Sequence, residues 1–264
     1  MLREVSAHFE ATLSGRCNII WSIAPAAGVP VESEQLEFTV DGRAVELTEI
    51  SDLHGGRLHQ VVAEGTKIVL DYRATGIGAA PAPPDDEMDK IVYLRPSRYA
   101  ESDKLGPTSW SEFAGLTGGD LLDAVTDWVG ERLSYVAGSS RGTDSAVDTL
   151  LGRKGVCRDY THLTIALLRA MNVPARLVAC YAPGLSPMEF HAVVEAYVDG
   201  AWVLIDPTKK APRASMVRVA TGRDAADTAF ITNHWARLTL DRFQVTATAD
   251  KLPIDNHRDR IVMG

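Results

Sequence analysis

GVCRDYTHLTIALLRAMNVP, residues 155–174, sets a cysteine at its third position and then repeats apolar residues at helical spacing. Tyr160, Leu163, Leu167, Leu168 and Met171 fall on one broad side of a helix beginning near Cys157. Asn172 and Pro174 stop it, the first because it tolerates a left-handed backbone and the second because it cannot continue the hydrogen-bond ladder. Upstream, Leu121, Leu122, Val125, Trp128 and Val129 form another apolar helical face, introduced by Gly118-Gly119 and an N-capping Asp120. A short helix fits 144–151, with Thr143 at its N-cap and Gly152 beyond its end. Downstream the period drops to two, predicting strands at 175–181, 191–198, 201–206 and 238–247. Helices followed by a run of strands predict an α+β domain.

The first 74 residues read differently, as strands at 7–13, 17–23, 35–40, 44–50, 57–62 and 66–74 separated by turn signals. Asp41-Gly42 is a two-residue hairpin signal and Glu64-Gly65 a weaker one. Strands this short and this regularly spaced predict an antiparallel β-sandwich. Residues 76–87, rich in Pro and acidic side chains, read as a linker. The expected organisation is therefore a β-sandwich at 1–76, a connecting segment at 77–108 and an α+β catalytic domain at 109–264.

The 264 residues carry 27 Lys+Arg against 35 Asp+Glu, a net charge of −8, which argues against a nucleic-acid partner. The hydrophobic share of 45% suffices for a sizeable core and excludes a disordered chain. No apolar run approaches the ~20 residues of a membrane span, and the first 13 residues lack a signal-peptide pattern. Three cysteines without a CxxC pair signal neither a disulfide framework nor a thiolate zinc site. A cytoplasmic protein with no membrane partner is the expectation.

Cys157 falls in the first turn of its helix, where unpaired backbone N–H groups and the macrodipole favour a thiolate. The competing reading is a buried cysteine acting as a small hydrophobe. The turn Asp199-Gly200 decides what stands near it, because a two-residue loop pairs residues whose numbers sum to 399. Val193 then faces Asp206, and His191 lies on the face of Val193, so His191 and Asp206 are diagonal neighbours roughly 7–8 Å apart at the backbone. An imidazole beside a carboxylate has a fixed tautomer and a stabilised cationic form. If that face packs on the start of the Cys157 helix, the three residues form a nucleophile, a base and an orienting acid. Glu195, two residues along the same strand, shares the His191 face but points parallel to the imidazole.

Four segments carry a family resemblance: 155–160 (GVCRDY), 167–176 (LLRAMNVPAR), 190–197 (FHAVVEAY) and 202–208 (WVLIDPT). Together they resemble the core of the bacterial transglutaminase-like superfamily, whose members include cysteine proteases, over about residues 90–235. The N-terminal β region with 93–99 (YLRPSRY) looks like the domain that often precedes that core. The resemblance implies a papain-like α+β core and a Cys157–His191–Asp206 triad. It leaves the substrate open, since the superfamily holds proteases, amidases, transglutaminases and inactive members.

The expected chemistry is thiol-dependent cleavage of a peptide, protein or amide substrate through a thioester, with no cofactor and no metal. Transfer to a second amine is one alternative, a catalytically inactive interaction module another, and a zinc site built on the same three residues a third. The Cys157 backbone N–H supplies one oxyanion donor. A papain-like glutamine is missing, because Gln35, Gln60 and Gln244 all lie far from Cys157 in sequence, which leaves Tyr135 or Trp128 as side-chain donors unless both are core aromatics. His162 is turned about 140° from Cys157 on the helix, which disfavours it as the base. Asp159 reads as a helix-start acceptor and Cys180 as a strand-core residue.

Overall fold

The computed structural model describes residues 1–263. Seven strands come first: β1 (Arg3–Leu13), β2 (Cys17–Trp21), β3 (Ser33–Val40), β4 (Arg43–Ala44), β5 (Thr48–Ser51), β6 (Arg57–Ala63) and β7 (Lys67–Ile77). The middle is helical, with α1 (Glu87–Val92), α2 (Ser102–Phe113), α3 (Gly118–Arg132), β8 (Ser134–Tyr135), α4 (Ala146–Gly152), β9 (Lys154–Gly155) and α5 (Cys157–Ala170). Six strands follow: β10 (Ala175–Tyr181), β11 (Phe190–Val198), β12 (Ala201–Ile205), β13 (Val217–Gly222), β14 (Ile231–His234) and β15 (Leu238–Ala249). The α+β class read from the sequence is the class observed.

Two antiparallel sheets, ordered β15-β1-β7-β3-β4 and β14-β2-β6-β5, enclose one core. β1 alternates strictly, burying Val5, Ala7, Phe9, Ala11 and Leu13 while polar residues face outward, as a strand with one solvated face must. Asp41-Gly42 makes the hairpin its sequence signals. The stretch 44–50 is not one strand: β4 and β5 go to different sheets. Glu64-Gly65 likewise joins strands of different sheets, so it turns a corner of the sandwich and not a hairpin.

The strand pairing crosses the division expected at residues 76 and 109. β15 lies antiparallel along β1, with Ala7 opposite Val245 and Phe9 opposite Phe243, and β14 pairs with β2. Both C-terminal strands thus complete the N-terminal sheets. Period two reveals a strand but not its partner, which is set by which sheet edge is open in the folded chain.

The stretch expected as a linker at 76–87 is shorter in the structure, because β7 runs through Ile77 and α1 starts at Glu87, where the Asp86 carboxylate caps it at Met88 N–H. Gly106 and Pro107 hide α2 from a propensity reading. α4 is capped by Ser145, two residues beyond the expected Thr143, because Ser145 and Asp148 exchange side-chain and backbone bonds while Asp144 binds Arg141. α5 ends as anticipated, with Asn172 left-handed at φ 62° and Val173 N–H returning to Leu168 C=O.

The third sheet, β12-β11-β10-β13, positions the chemistry. α5 covers the face made by Ala175, Leu177, Val194 and Ala196 with Leu163 and Leu167, and Thr161 Oγ1 ties it to Ala192 C=O at 2.9 Å. The β11–β12 turn has both Asp199 and Gly200 at positive φ, and the register is that of a two-residue loop, Val198 opposite Ala201 and Val194 opposite Ile205.

Candidate active site

The first turn of α5 is built by a close approach. Gly155 lets Asp159 fold back, so that its Oδ2 accepts from Val156 N–H at 2.8 Å while Oδ1 accepts from Ser140 Oγ at 2.9 Å. A Cβ on Gly155 would stand 2.6 Å from the Asp159 Cβ. Gly155→Ala is therefore expected to destabilise by about 1–3 kcal/mol and to slow alkylation of Cys157, read by thermal melting and thiol labelling on the same sample. Wild-type values for both would mean the turn tolerates the methyl group.

Cys157, half-buried, is the first residue of this helix. His191 and Asp206 are 2% and 1% exposed, and His191 Nε2 meets Asp206 Oδ2 at 2.9 Å. The other carboxylate oxygen accepts from Thr208 N–H at 2.9 Å and Thr208 Oγ1 at 2.7 Å. Thr208 had no assigned role in the sequence reading, although Asp-Pro-Thr is the spacing at which an Asp side chain turns onto the N–H two residues on. His191 Nδ1 has no closed hydrogen bond among the described residues, and the Cys157 thiol approaches the same ring closely enough to raise its proton affinity. Nδ1 is thus the nitrogen open to the thiol.

Burial opposes charge on His191, but the Asp206 carboxylate and the neighbouring thiol outweigh it and push the imidazole up to about 10. Burial opposes charge on Asp206 as well, and there His191 and Thr208 hold the carboxyl below the usual carboxylate range. The pair is a buried imidazolium–carboxylate.

The structure brings Cys157 and His191 together by a route other than the one expected. His191, Val193 and Glu195 share strand parity, whereas the body of α5 covers the opposite face, and Val193 packs with Val178 and Leu204 instead. The contact forms at element ends: Cys157 opens α5, His191 is the second residue of β11, and Asp206 directly follows β12. Glu195 does not compete for His191, because both its oxygens are held by Arg176 and Arg218.

Of the two proposed oxyanion donors, Trp128 requires correction. Its indole N–H is taken by Glu112 at 2.9 Å, and its ring packs edge-on against Phe113. Tyr135 does reach the site. Parallel pairing of β8 with β9 sets Tyr135 opposite Gly155, and its phenol oxygen lies beside the Cys157 backbone N–H. Burial first, then the nearby Cys157 sulfur, raises that phenol to about 12, so it keeps its proton at neutral pH. His162 is fully buried on the far side of α5, its Nε2 accepting from Ala225 N–H at 3.1 Å, and burial drives it down to about 3. It is neutral and structural. All three cysteines are free, with Cys17 and Cys180 buried. Among the described residues no group of three or more His, Cys, Asp or Glu side chains is arranged to hold a metal ion.

A cleft thiol at a helix start, facing a buried imidazole–carboxylate pair on a neighbouring hairpin, defines a class of site found in papain-like folds. The sequence profile of the Transglutaminase-like superfamily matches residues 115–207, a span containing all three residues. The structure is similar over 98% of this chain and 95% of the other to the crystal structure of "a Putative Cysteine Protease from Cytophaga hutchinsonii", at 30% identity and a TM-score of 0.89. The chain belongs to the transglutaminase-like superfamily. An uncharacterized protein of Mycobacterium leprae (strain TN) is 32% identical over 118 residues, which is 40% of this chain and 41% of that relative, so the match spans less than half of the relative's length. The periplasmic domain of TgpA from Pseudomonas aeruginosa aligns over 77% of this chain and 90% of its own, at 18% identity and a TM-score of 0.43. Among the described residues no helix is long and apolar enough to cross a membrane.

Proposed function

We propose that this chain is a thiol hydrolase that cleaves peptide or other amide bonds through Cys157, His191 and Asp206. The buried His191–Asp206 pair beside a helix-initial thiol carries the reading, because an imidazole held by a carboxylate on Nε2 and open to a thiol on Nδ1 is arranged to exchange a proton with that thiol. In the proposed cycle the Cys157 thiolate attacks the carbonyl carbon, and the C–N bond breaks as the imidazolium gives its proton to the departing amine. His191 then takes a proton from the water that attacks the thioester, the C–S bond breaks, and the acid leaves with the Cys157 thiolate restored beside the imidazolium. Asp206 positions the imidazole, and Thr208 positions Asp206. The Cys157 N–H and the Tyr135 hydroxyl, already side by side, are the two donors for the oxyanion. A residue-lined cavity reaching Cys157 and His191 favours this over a binding-only module. The cytoplasmic location expected from the sequence belongs to the same proposal, supported by three unpaired cysteines.

Cys157→Ala is expected to abolish both turnover and labelling by a thiol-directed acyl probe. Incubating a peptide library with and without added amines, read by mass spectrometry, separates hydrolysis from transfer by product mass. Labelling that persists in Cys157→Ala would sink the assignment.

The pH dependence has a definite sign. The His191 imidazolium is favoured in the folded chain, with a value near 10 against about 6.5 unfolded. Its stabilisation is full below the unfolded value and is lost as pH rises through the folded one. The alkaline limb of kcat/KM is therefore expected near pH 10, with melting temperature declining over the same window. An alkaline limb near the ordinary histidine value would contradict the paired imidazolium.

A further inference from the structure

Next to Cys157 and His191 opens a cavity of about 470 Å³, within the range of pockets that hold a bulky side chain or a small ligand. Its walls come from both halves of the molecule: Leu177 and Ala179 from β10, Phe190 from β11, and Phe230 and Ile231 from the segment entering β14. β14 is hydrogen-bonded to β2, so the sandwich itself supplies one side of the cavity.

Phe190, the residue before His191, stacks on Phe230 with ring centroids 5.5 Å apart. Phe230 in turn stacks on Phe9 at 5.8 Å and on Phe243 at 5.5 Å. An aromatic tier therefore runs from the imidazole into the sandwich core. Among the described residues, Arg158 is besides His191 the only charged side chain lining the cavity; its Nη2 is engaged by Ser140, Asp159 and the Arg141 carbonyl, while its Nε is buried without a partner. The segment that closes the outer side is pinned from below, since Asp224 accepts from Tyr99 N–H and His162 holds Ala225 N–H.

Resting on the thiol-hydrolase reading, we infer that this cavity selects amide substrates with a large apolar, preferentially aromatic, side chain flanking the attacked bond, and that Phe230 is a specificity-determining residue delivered by the sandwich. The surface offered is apolar and already walled, so an aromatic ring entering it leaves water without displacing any protein–protein hydrogen bond. A cationic side chain entering the same walls would lose hydration with no partner, and an acidic one would lose hydration on every side but that of Arg158.

The test uses the full-length chain and reads Cys157 alkylation by mass spectrometry, with iodoacetamide, N-benzyl iodoacetamide and iodoacetate compared after correction for each reagent's rate with a free thiol. The wild type is expected to favour the benzyl reagent over iodoacetamide by about tenfold or more, and to disfavour iodoacetate. Ala226→Trp and Ala229→Trp fill the cavity mouth from exposed positions and so spare the fold. Both are expected to bring the benzyl preference close to one, and Phe230→Ser is expected to weaken the preference. Because the preference is a ratio, it is independent of how reactive the thiol is. A slow thiol with an intact ratio would overturn the hydrolase reading alone. A ratio near one in the wild type, or a preference for iodoacetate that points to Arg158 as the selecting group, would overturn the apolar assignment.

Discussion

Asp206→Asn is expected to leave a folded protein whose turnover is lower by about 10⁴-fold, the scale on which a triad carboxylate acts through its histidine. The geometry says why. Asp206 Oδ2 accepts from His191 Nε2, which fixes a proton on Nε2 and leaves Nδ1 as the nitrogen that exchanges a proton with the thiol. An Asn in its place keeps the acceptor that Thr208 N–H and Oγ1 use, so the local turn survives. Its amide can instead donate to Nε2, which moves the ring proton to Nδ1, the nitrogen that must take the proton from Cys157. The imidazole then also loses the carboxylate that raised its proton affinity, and the alkaline limb of the pH profile moves to lower pH. Moving the carboxylate one residue back, as Ile205→Asp with Asp206→Asn, is not expected to rescue activity. Ile205 is buried in the helix-facing core with Val194, so that carboxylate would be an unpaired charge among apolar side chains. Turnover and thiol alkylation rates measured on the same preparation decide the matter. Near-normal turnover of Asp206→Asn with unchanged melting would mean that another group orients His191.

Glu195→Ala carries the largest expected loss of stability, about 3–5 kcal/mol, for a reason distinct from catalysis. Glu195 is 0% exposed, and its Oε2 accepts from Arg176 Nε at 2.8 Å and Arg218 Nη1 at 3.0 Å, with Arg218 Nη2 on the other oxygen. Arg176 is itself 1% exposed and stacks on Trp202. Removing the carboxylate leaves two guanidinium groups in the interior with only Asp89 and Thr221 as side-chain partners. A fall in melting temperature of roughly 10 °C or more is expected, and adding Arg218→Met should recover part of it by deleting one stranded charge. Burial opposes the Glu195 charge, but the two arginines outweigh it and hold the carboxyl below its ordinary range. Its contribution is thus present above the unfolded carboxylate value and is lost as pH falls through the lower folded one. A melting temperature equal to the wild type's would show that the arginines find other partners. The two variants also separate two residues that share a strand face: Asp206→Asn strikes activity with the fold intact, Glu195→Ala strikes the fold.

Much of the molecule is written in short-range pattern. The helical period after Cys157, the stop at Asn172 and Pro174 and the two-residue turn at Asp199-Gly200 depend on neighbours within a few residues, so the sequence by itself determines α5, the β11–β12 register and the adjacency of His191 and Asp206. The strict alternation of β1 is legible for the same reason. What the sequence leaves open involves partners distant along the chain. That β14 and β15 return to β2 and β1 depends on which edges the folded sandwich leaves open. That α5 covers the Ala192 face, while its first residue still meets His191 from the other parity, follows from where the elements end and not from their periods. Tyr135 reaches the Cys157 N–H through the β8–β9 pairing, whereas Trp128, equally aromatic and nearby in sequence, is turned to Glu112 by its place on α3. Periodicity assigns a side chain to a face; only packing, which buries one face against a particular partner, decides what that face meets.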